Sequence, residues 1–271
     1  MTQRSPTRWR PAPLIAASVG WHAAAAAGVL ARPAVWPWAL GAVLANHALL
    51  TAAGLIPRSH LLGPNWTRLP ATAAARGALA ITIDDGPDPG VTPRVLSILA
   101  AHGVSATFFC VGERVQRHPD LVRAMLRGGH AIENHSQGHP WSFSLLGPRG
   151  LRDQIMRAQD SIVAATGCAP RFFRAPAGLR NPFLEPVLAR LGLTLASWTR
   201  RGFDTVASDP AAVFARLAQP LRAGDILLLH DGNAARSPTG TPVILDVLPR
   251  LLGAVQSAGF VPVTLRAAAT C

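Results

Sequence analysis

Two uncharged apolar segments near the N-terminus set the strongest constraint on what this chain of 271 residues can fold into. Segments 13–31 and 33–57 are separated by a single arginine, and neither contains a charged residue. Each is long enough to cross the roughly 30 Å hydrocarbon core of a bilayer as a helix. Trp36 and Trp38 lie beside the short connection, where interfacial aromatic residues are typical. The sequence therefore predicts a membrane-associated pair of apolar helices over residues 1–57.

Two other interpretations of these segments stay open. An arginine-rich start followed by an apolar run is also typical of a signal sequence, either cleaved or retained. Uniformly apolar helices can also be buried against a soluble domain instead of lipid. His22, Asn46 and His47 weigh against a membrane span, because polar groups are costly at the centre of a bilayer.

The composition narrows the class of protein. The chain has 26 basic residues, all of them arginine, against 14 acidic residues, which gives a net charge of +12. A surplus of this size can indicate nucleic-acid binding, but no basic stripe with interleaved aromatic residues accompanies it, so we expect no nucleic-acid partner. Three cysteines are too few for a disulfide scaffold.

The charge distribution predicts an orientation for the hairpin. Residues 1–83 contain no Asp or Glu, and this acid-free third carries over half of the positive surplus. Three arginines precede the first apolar segment and three follow the second, namely Arg4, Arg8, Arg10, Arg58, Arg68 and Arg76. Because basic residues favour the cytoplasmic side, both ends are expected there. The sequence thus predicts a protein of the inner (cytoplasmic) membrane whose soluble domain faces the cytoplasm.

From residue 78 onward, short apolar runs alternate with longer amphipathic stretches. The predicted strands are 79–83, 104–110, 130–133, 171–174, 193–198, 225–229 and 260–265. The predicted helices are 93–103, 119–129, 149–167, 181–192, 209–221 and 241–259. This rhythm indicates parallel strands joined by crossover helices, and seven strands favour one barrel-like α/β domain. We therefore expect three regions, which are the helices at 1–57, a connector at 58–77 and an α/β domain at 78–271.

Polar residues follow the predicted strands at their carboxyl ends, where the chemistry of such folds gathers. Asp84 and Asp85 follow the first strand, and paired carboxylates there indicate either a turn or a site that a cation shares. His135 and His139 follow the third strand, four residues apart, which predicts that both lie on one face of a helical turn. With Asp85 they supply nitrogen and oxygen ligands for a divalent metal and leave positions open for water.

Three later strands end in or lead to further polar residues. These are Arg174, Asp204 and His230. An arginine beside clustered carboxylates can pair with one of them and keep it ionised. Each of these residues alone has an ordinary structural explanation, but five strand ends that deliver such groups in order predict an active site.

These residues carry a resemblance to a known family. The region from about 79 to 271 resembles the polysaccharide deacetylases of carbohydrate esterase family 4, the chitin-deacetylase and NodB-like type, in the stretches TIDDGPDP, HSQGH, RAPAG, SWTRRGFD and LLLHDG. The resemblance implies a distorted (β/α)7 barrel-like domain, in agreement with the seven predicted strands. It also implies a hydrolase acting on carbon–nitrogen bonds other than peptide bonds.

The resemblance implies a role for each matching residue. The implied catalytic residues are Asp84 as general base, Arg174 as the group that orients Asp84 and keeps it ionised, His230 as general acid and Asp204 as its electrostatic partner. The implied metal ligands are Asp85, His135 and His139. Zinc is the expected metal, with cobalt or nickel as alternatives. The predicted substrate-binding residues are Leu228, which would line the acyl pocket, and Pro176, Gly178 and Trp198.

Two positions depart from the family pattern. Ile83 replaces the usual phenylalanine before the acid pair, and Thr205 replaces the usual tryptophan of the fourth motif. That tryptophan helps to wall the acyl pocket in many members, so its absence leaves the acyl group and the sugar open. Trp141, Phe143 and Trp198 are candidates to take its place.

Together, these observations predict a metal-dependent hydrolase that removes an N-acetyl or formyl group from an amino sugar in a polysaccharide or a lipid-linked glycan. A membrane hairpin with an inward-facing domain favours the lipid-linked substrate. One alternative is an O-deacetylase acting on a glycan ester, since the same site cleaves esters. Another is a catalytically inactive, membrane-anchored carbohydrate-binding protein, although every polar position of the motifs is present.

Overall fold

The computed structural model describes residues 9–270, so Arg4 and Arg8, which contribute to the orientation prediction, lie outside the described residues. Helices α1 (Pro13–Ala31) and α2 (Trp36–Leu55) are joined by a 3-10 turn at Pro33–Val35. Both are long and apolar enough to cross a membrane, yet only 6% of the apolar stretch of the first and 17% of the second are buried. Such low burial argues against core helices of a soluble domain. It is compatible with a membrane hairpin or a signal sequence.

Polar side chains inside the hairpin pair with one another. The Asn46 Nδ2 atom donates to Ser18 Oγ at 2.8 Å, and the Nε2 atoms of His22 and His47 are 3.2 Å apart. Hydrogen bonds between facing helices satisfy polar groups that lipid cannot satisfy. The three residues that weigh against a membrane span therefore find partners on the opposite helix.

Short parallel strands and their covering helices form the rest of the described chain. The strands are β1 (Ala78–Asp84), β2 (Thr107–Cys110), β3 (Ala131–Asn134), β4 (Phe172–Phe173), β5 (Thr194–Leu195), β6 (Arg200–Arg201), β7 (Ile226–His230) and β8 (Val261–Pro262). The helices are α3 (Ala71–Ala74), α4 (Thr92–Ala101), α5 (Gly112–Arg117), α6 (Pro119–Arg127), α7 (Pro148–Thr166), α8 (Leu184–Leu191), α9 (Pro210–Ala218), α10 (Val243–Ser257) and α11 (Leu265–Ala269).

The strands lie in the order β5-β4-β3-β2-β1-β7-β6, and β8 pairs with the start of β1. The pairings between these strands are parallel. This path ends at β5 and at β6, and the connector contributes Trp66, which forms a parallel bridge with Ala196 just after β5. The domain is an α/β half-barrel of parallel strands preceded by two apolar helices, and the predicted fold class is confirmed.

The register of β1 and β7 places polar residues side by side at the carboxyl end of the sheet. Asp84, the last residue of β1, lies opposite Phe109 of β2 and opposite His230 of β7. Every residue of β1 and of β7 is buried, as expected for central parallel strands covered by helices. The carboxyl end of the sheet is therefore where buried charge collects.

The structure adds short elements that the sequence pattern does not predict. Strand β6 has only two residues, both arginines, and so carries no apolar run to mark it. Helices α3, α5 and α11 span four to six residues, which is too short to show a helical periodicity. The predicted strands and helices each have a counterpart, and most of the predicted strands include residues that lie in the adjoining loops of the structure.

Glu133 on β3 connects this strand to the start of β4 and to α11 through hydrogen bonds. It is fully buried and accepts the backbone N–H groups of Arg171 and Phe172 at 2.7 and 2.8 Å. The Nε atom of Arg266 on α11 donates to its other carboxylate oxygen at 2.5 Å. Burial raises the pKa of Glu133, and the Arg266 cation opposes that rise.

We expect the substitution Arg266→Met to lower the free energy of unfolding by about 3 kcal/mol, because it strands a buried carboxylate without its cation. Urea denaturation of the detergent-solubilised chain measures this change. The exposed Arg94 supplies a matched control, since Arg94→Met should change the stability by less than about 0.5 kcal/mol. Equal costs for the two substitutions would show that the ion pair does not stabilise the fold.

Candidate active site

The backbone at the end of β1 separates the two adjacent carboxylates. Asp84 ends the strand in extended geometry, whereas Asp85 has a φ of 75°, in the left-handed region that non-glycine residues rarely adopt. The side chain of Asp84 meets Arg174, while that of Asp85 meets His135 and His139. One turn thus sends two neighbouring carboxylates to different partners.

Asp85, His135 and His139 form a compact group of possible ligands. The Oδ1 atom of Asp85 lies 3.1 Å from His135 Nε2 and 3.2 Å from His139 Nε2, and the ligand atoms all lie within 4.8 Å of one another. Although buried, Asp85 Oδ1 has no hydrogen-bond partner among residues 9–270. Burial alone would raise the pKa of Asp85, but the neighbouring histidines hold it well below its usual range.

The tautomer of His135 fits the same arrangement. Its Nδ1 atom lies 2.8 Å from the carbonyl oxygen of Arg174 and donates to it, which leaves the lone pair of Nε2 facing Asp85. A buried carboxylate oxygen without a donor, beside two imidazole Nε2 atoms, matches the donor set that zinc-type divalent cations prefer. The residues present therefore fit a divalent metal.

The prediction that His135 and His139 lie on one face of a helical turn is wrong. Both lie in a loop after β3, where Ser136 and His139 have φ values of 65° and 49°. The side chain of Asn134 accepts the N–H of Ser136, and Ser136 Oγ accepts the N–H of His139. These local hydrogen bonds compete with a helix and turn both imidazoles towards Asp85.

Arg174 is fixed by hydrogen bonds from each of its guanidinium nitrogens. Its Nη1 atom donates to Asp84 Oδ1 at 2.7 Å and to Thr82 Oγ1 at 2.9 Å. The Nε and Nη2 atoms donate to the carbonyl oxygens of Ala196 and Ser197. Arg174 is 1% exposed, so the ion pair with Asp84 is fully buried and one carboxylate oxygen is held in place.

Asp204 holds His230 in the same way from the other side of β1. One carboxylate oxygen lies 2.8 Å from His230 Nδ1, and the other accepts the backbone N–H of His230 at 2.7 Å. Burial alone would lower the pKa of His230, but the hydrogen bond and the negative charge of Asp204 raise it. Because Nδ1 is occupied, Nε2 is the ring nitrogen left for other contacts.

A cavity of about 210 Å³ collects these groups at the carboxyl end of the sheet. Its lining residues are Asp84, Asp85, His135, His139, Ala177, Gly178, Trp198, Arg201, Thr205, Leu228, His230 and Asn233. Of the four predicted substrate-binding residues, Leu228, Gly178 and Trp198 line the cavity. Pro176 is buried but is not among the lining residues.

The candidates to replace the missing tryptophan are placed differently. Trp198 lines the cavity, whereas Phe143 is buried in a separate apolar cluster and Trp141 is 90% exposed. Thr205 itself lines the cavity. The wall at this position is therefore formed by Trp198 beside a small polar residue.

Asp85 is also held by Asn233, a residue outside the motifs of the sequence. The Nδ2 atom of Asn233 donates to Asp85 Oδ2 at 2.8 Å, and Arg114 Nη2 donates to Asn233 Oδ1 at 3.0 Å. This chain of hydrogen bonds fixes one oxygen of Asp85 and leaves the other facing the histidines. Asn233 follows LLLHDG directly, so inspecting one more residue beyond that strand end would have found it; Arg114 on α5 has no such signal.

The fold and the site together define a class of protein. A half-barrel that presents an Asp–His–His cluster, an arginine-paired aspartate and an aspartate-paired histidine in one cavity is suited to the hydrolysis of acyl bonds. Comparison with known proteins identifies the family.

A family model described as polysaccharide deacetylase matches residues 72–196. The chain is 32% identical over 199 residues to a chitooligosaccharide deacetylase of Sinorhizobium fredii, a match that covers 71% of this chain and 92% of that protein. It is 35% identical over 175 residues to a peptidoglycan-N-acetylglucosamine deacetylase of Bacillus cereus, covering 64% of this chain and 81% of that protein.

A solved structure supports the same assignment. The family 4 carbohydrate esterase from Streptomyces lividans in complex with acetate matches with a TM-score of 0.62 and 31% identity, covering 69% of this chain and 91% of that one. The chain belongs to the polysaccharide deacetylase family, carbohydrate esterase family 4. It is a hydrolase acting on carbon–nitrogen bonds other than peptide bonds, and its family is metal-dependent.

Proposed function

We propose that this protein is a membrane-anchored, zinc-dependent deacylase that removes an N-acetyl or formyl group from an amino sugar in a glycan or a lipid-linked glycan. The observation that carries the proposal is the convergence of Asp85, His135 and His139 with Asp84 and His230 in one cavity. The similarity to a chitooligosaccharide deacetylase and a peptidoglycan-N-acetylglucosamine deacetylase supports an N-acyl amino sugar as the substrate.

In this proposal, Asp85, His135 and His139 hold the metal. When bound, a zinc ion supplies Lewis acidity, which polarises an acyl carbonyl and lowers the pKa of a water molecule. The hydrogen bond from Asn233 keeps Asp85 oriented towards the histidines. Fixed ligands of this kind keep a site ready for the metal before it binds.

Asp84 acts as the general base on the attacking water. One of its carboxylate oxygens, Oδ1, accepts a hydrogen bond from Arg174 Nη1 at 2.7 Å, which leaves Oδ2 to accept the proton. Arg174 also prevents the carboxylate from rotating, because the same guanidinium is anchored to Thr82 and to two backbone carbonyls. The base is thus held in one orientation beside a buried cation.

His230 acts as the general acid on the leaving nitrogen. An amine is a poor leaving group unless it is protonated as the carbon–nitrogen bond breaks. Asp204 raises the pKa of His230 and fixes its Nδ1, so a proton on Nε2 is available to the cavity. The base and the acid lie on neighbouring strands at the same register.

The walls of the cavity favour a small acyl group. Leu228 and Trp198 supply an apolar surface inside the cavity, which suits a short apolar acyl substituent. Acetyl and formyl groups fit this description.

The hairpin supports a substrate at a membrane. Its base contacts the loop that lines the cavity: Ser197 Oγ donates to the carbonyl oxygen of Pro57, and a side chain at Gly178 would collide with Pro57. Gly178 has a φ of 74°, so this close approach requires glycine. The end of the hairpin therefore packs against residues at the cavity wall, and this proximity supports a lipid-linked glycan as the substrate.

The positions of the arginines predict which side of the membrane the domain faces. Arg10 and Arg58 flank the end of the hairpin that joins the domain, and Arg32 lies at the connection. We expect the domain to face the cytoplasm, at the inner membrane. A green fluorescent protein fused to the C-terminus should be fluorescent, and alkaline phosphatase fused there should be inactive. The reverse pattern would place the domain outside the cytoplasm and exclude a cytoplasmic substrate.

Acyl release from defined substrates tests the proposed activity. The full chain in detergent, loaded with zinc, should release acetate from chitooligosaccharides or from N-acetylated lipid-linked sugars, and a chelator should stop the release. Release from O-acetylated glycans alone would support the O-deacetylase alternative. Glycan binding without release from any substrate, by protein that holds its metal, would overturn the proposal in favour of a carbohydrate-binding protein.

A further inference from the structure

Arg201 is a cation in the candidate active site that the reaction proposed above does not use. It lies on β6 beside Arg200, and successive residues of a strand point to opposite faces. Arg200 Nε lies 3.1 Å from Oδ2 of the buried Asp225, on the side away from the cavity. Arg201 instead lines the cavity, together with Trp198 and Thr205.

Aromatic rings pack against Arg201 but do not accept hydrogen bonds from its guanidinium group. Its guanidinium carbon lies 5.7 Å from the centre of the Trp198 ring and 5.1 Å from that of Phe203. Within residues 9–270 its side chain makes no hydrogen bond and no ion pair, and its Nε atom is buried without a partner. Aromatic faces attract a guanidinium but leave its N–H groups free to donate.

The other ionisable side chains of the cavity already have ionisable partners. Arg174 neutralises Asp84, Asp204 pairs with His230, and the two histidines surround Asp85. Among the described residues that line the cavity, Arg201 is thus a cation that no carboxylate pairs with. A neutral sugar that covered it would offer hydroxyl acceptors but no negative charge, so the desolvated guanidinium would keep an uncompensated charge, which is costly.

We propose that Arg201 binds an oxyanion, a phosphate or a carboxylate, that the substrate itself carries close to its N-acyl group. The substrate class is then an anionic amino sugar, such as a glycosyl phosphate or a sugar acid, instead of a neutral chitin-type chain. A guanidinium donates two parallel hydrogen bonds to such an oxyanion. Thr205, which stands where the family pattern has tryptophan, leaves the space beside Arg201 open to that group. This inference rests on the proposed function, because it concerns the substrate of the same site.

Three matched sugars test the inference on the full chain in detergent. They are N-acetylglucosamine 1-phosphate, N-acetylmuramic acid and the neutral methyl N-acetylglucosaminide. Calorimetry measures the dissociation constant of each, with and without added zinc, and acetate release is followed in parallel. The wild-type protein should bind an anionic sugar at least about tenfold more tightly than the methyl glycoside. The dissociation constants of the phosphate sugar and the carboxylate sugar are compared. The sugar that binds more tightly identifies which oxyanion Arg201 prefers.

Variants separate a direct contact from a general effect of charge. Arg201→Gln should remove the preference for the anionic sugar by lowering its affinity far more than that of the methyl glycoside, and Arg201→Lys should restore part of the preference. Arg222→Gln removes an exposed arginine outside the cavity and should keep the full preference.

Equal affinity of the wild type for anionic and neutral sugars, or an undiminished preference in Arg201→Gln, would overturn the inference. Acetate release from the neutral sugar in that case would leave the proposed function standing. Conversely, tight Arg201-dependent binding of an anionic sugar without acyl release would contradict the proposed deacylase activity alone.

Discussion

Replacing Asp85 with Asn is expected to remove the bound metal and to lower acyl release by on the order of a thousandfold. Asp85 Oδ1 lies close to the Nε2 atoms of His135 and His139 and would be the anionic ligand of the proposed metal site. Asparagine keeps the size of the side chain but removes the negative charge that a divalent cation needs. Metal content per protein, measured by mass spectrometry, and acetate release from the same preparation check both expectations.

Asp153→Asn is the matched control for this substitution. Asp153 is an exposed carboxylate on α7, so its neutralisation should leave metal content and activity unchanged. The variant His135→Ala should reproduce the loss of metal, because it removes a ligand from the opposite side of the cluster. An Asp85→Asn protein that retained one metal per chain and full activity would show that the metal binds elsewhere.

The rule that chemistry gathers at strand ends explains how much of the site could be predicted. Asp84, Asp85, Arg174 and His230 each end or directly follow a strand, and the structure brings them into contact with one cavity or with a residue that lines it. Parallel strands fix such positions because their ends meet at one edge of the sheet, whatever the intervening loops do. The fold class could be predicted because the alternation of apolar strands and amphipathic helices indicates parallel strands with crossover helices.

Contacts made by loop and helix residues escape this rule. Arg114 reaches the site through Asn233, and no spacing in the sequence links the two. The left-handed backbone at Asp85 and His139 is likewise not evident from the residue types. At His139 it accompanies a local hydrogen bond to Ser136 Oγ. Arg201 lies on a strand of two residues, which only its pairing with β7 defines.

The pairing of His230 with Asp204 leads to a prediction about pH. The raised pKa of His230 means that its proton is retained to higher pH than that of an isolated histidine. A general acid must be protonated, so activity should fall as pH rises through this pKa. Asp204→Asn removes the charge that raises the pKa, and the loss of activity should then occur at lower pH.

The largest effect on the chemical step itself is expected from His230→Ala, which should slow amide cleavage by about 10²–10⁴-fold. Without an acid, the nitrogen would have to leave as an anion, whereas a nitrophenolate leaves readily without a proton. Cleavage of 4-nitrophenyl acetate by the same variant should therefore fall far less, and the ratio of the two rates isolates the acid from the rest of the site. Metal content should stay at the wild-type level, since His230 lies outside the Asp85–His135–His139 cluster. Equal losses on the amide and the ester would instead mean that His230 orients the substrate or supports the fold, and the proton would have to come from another group.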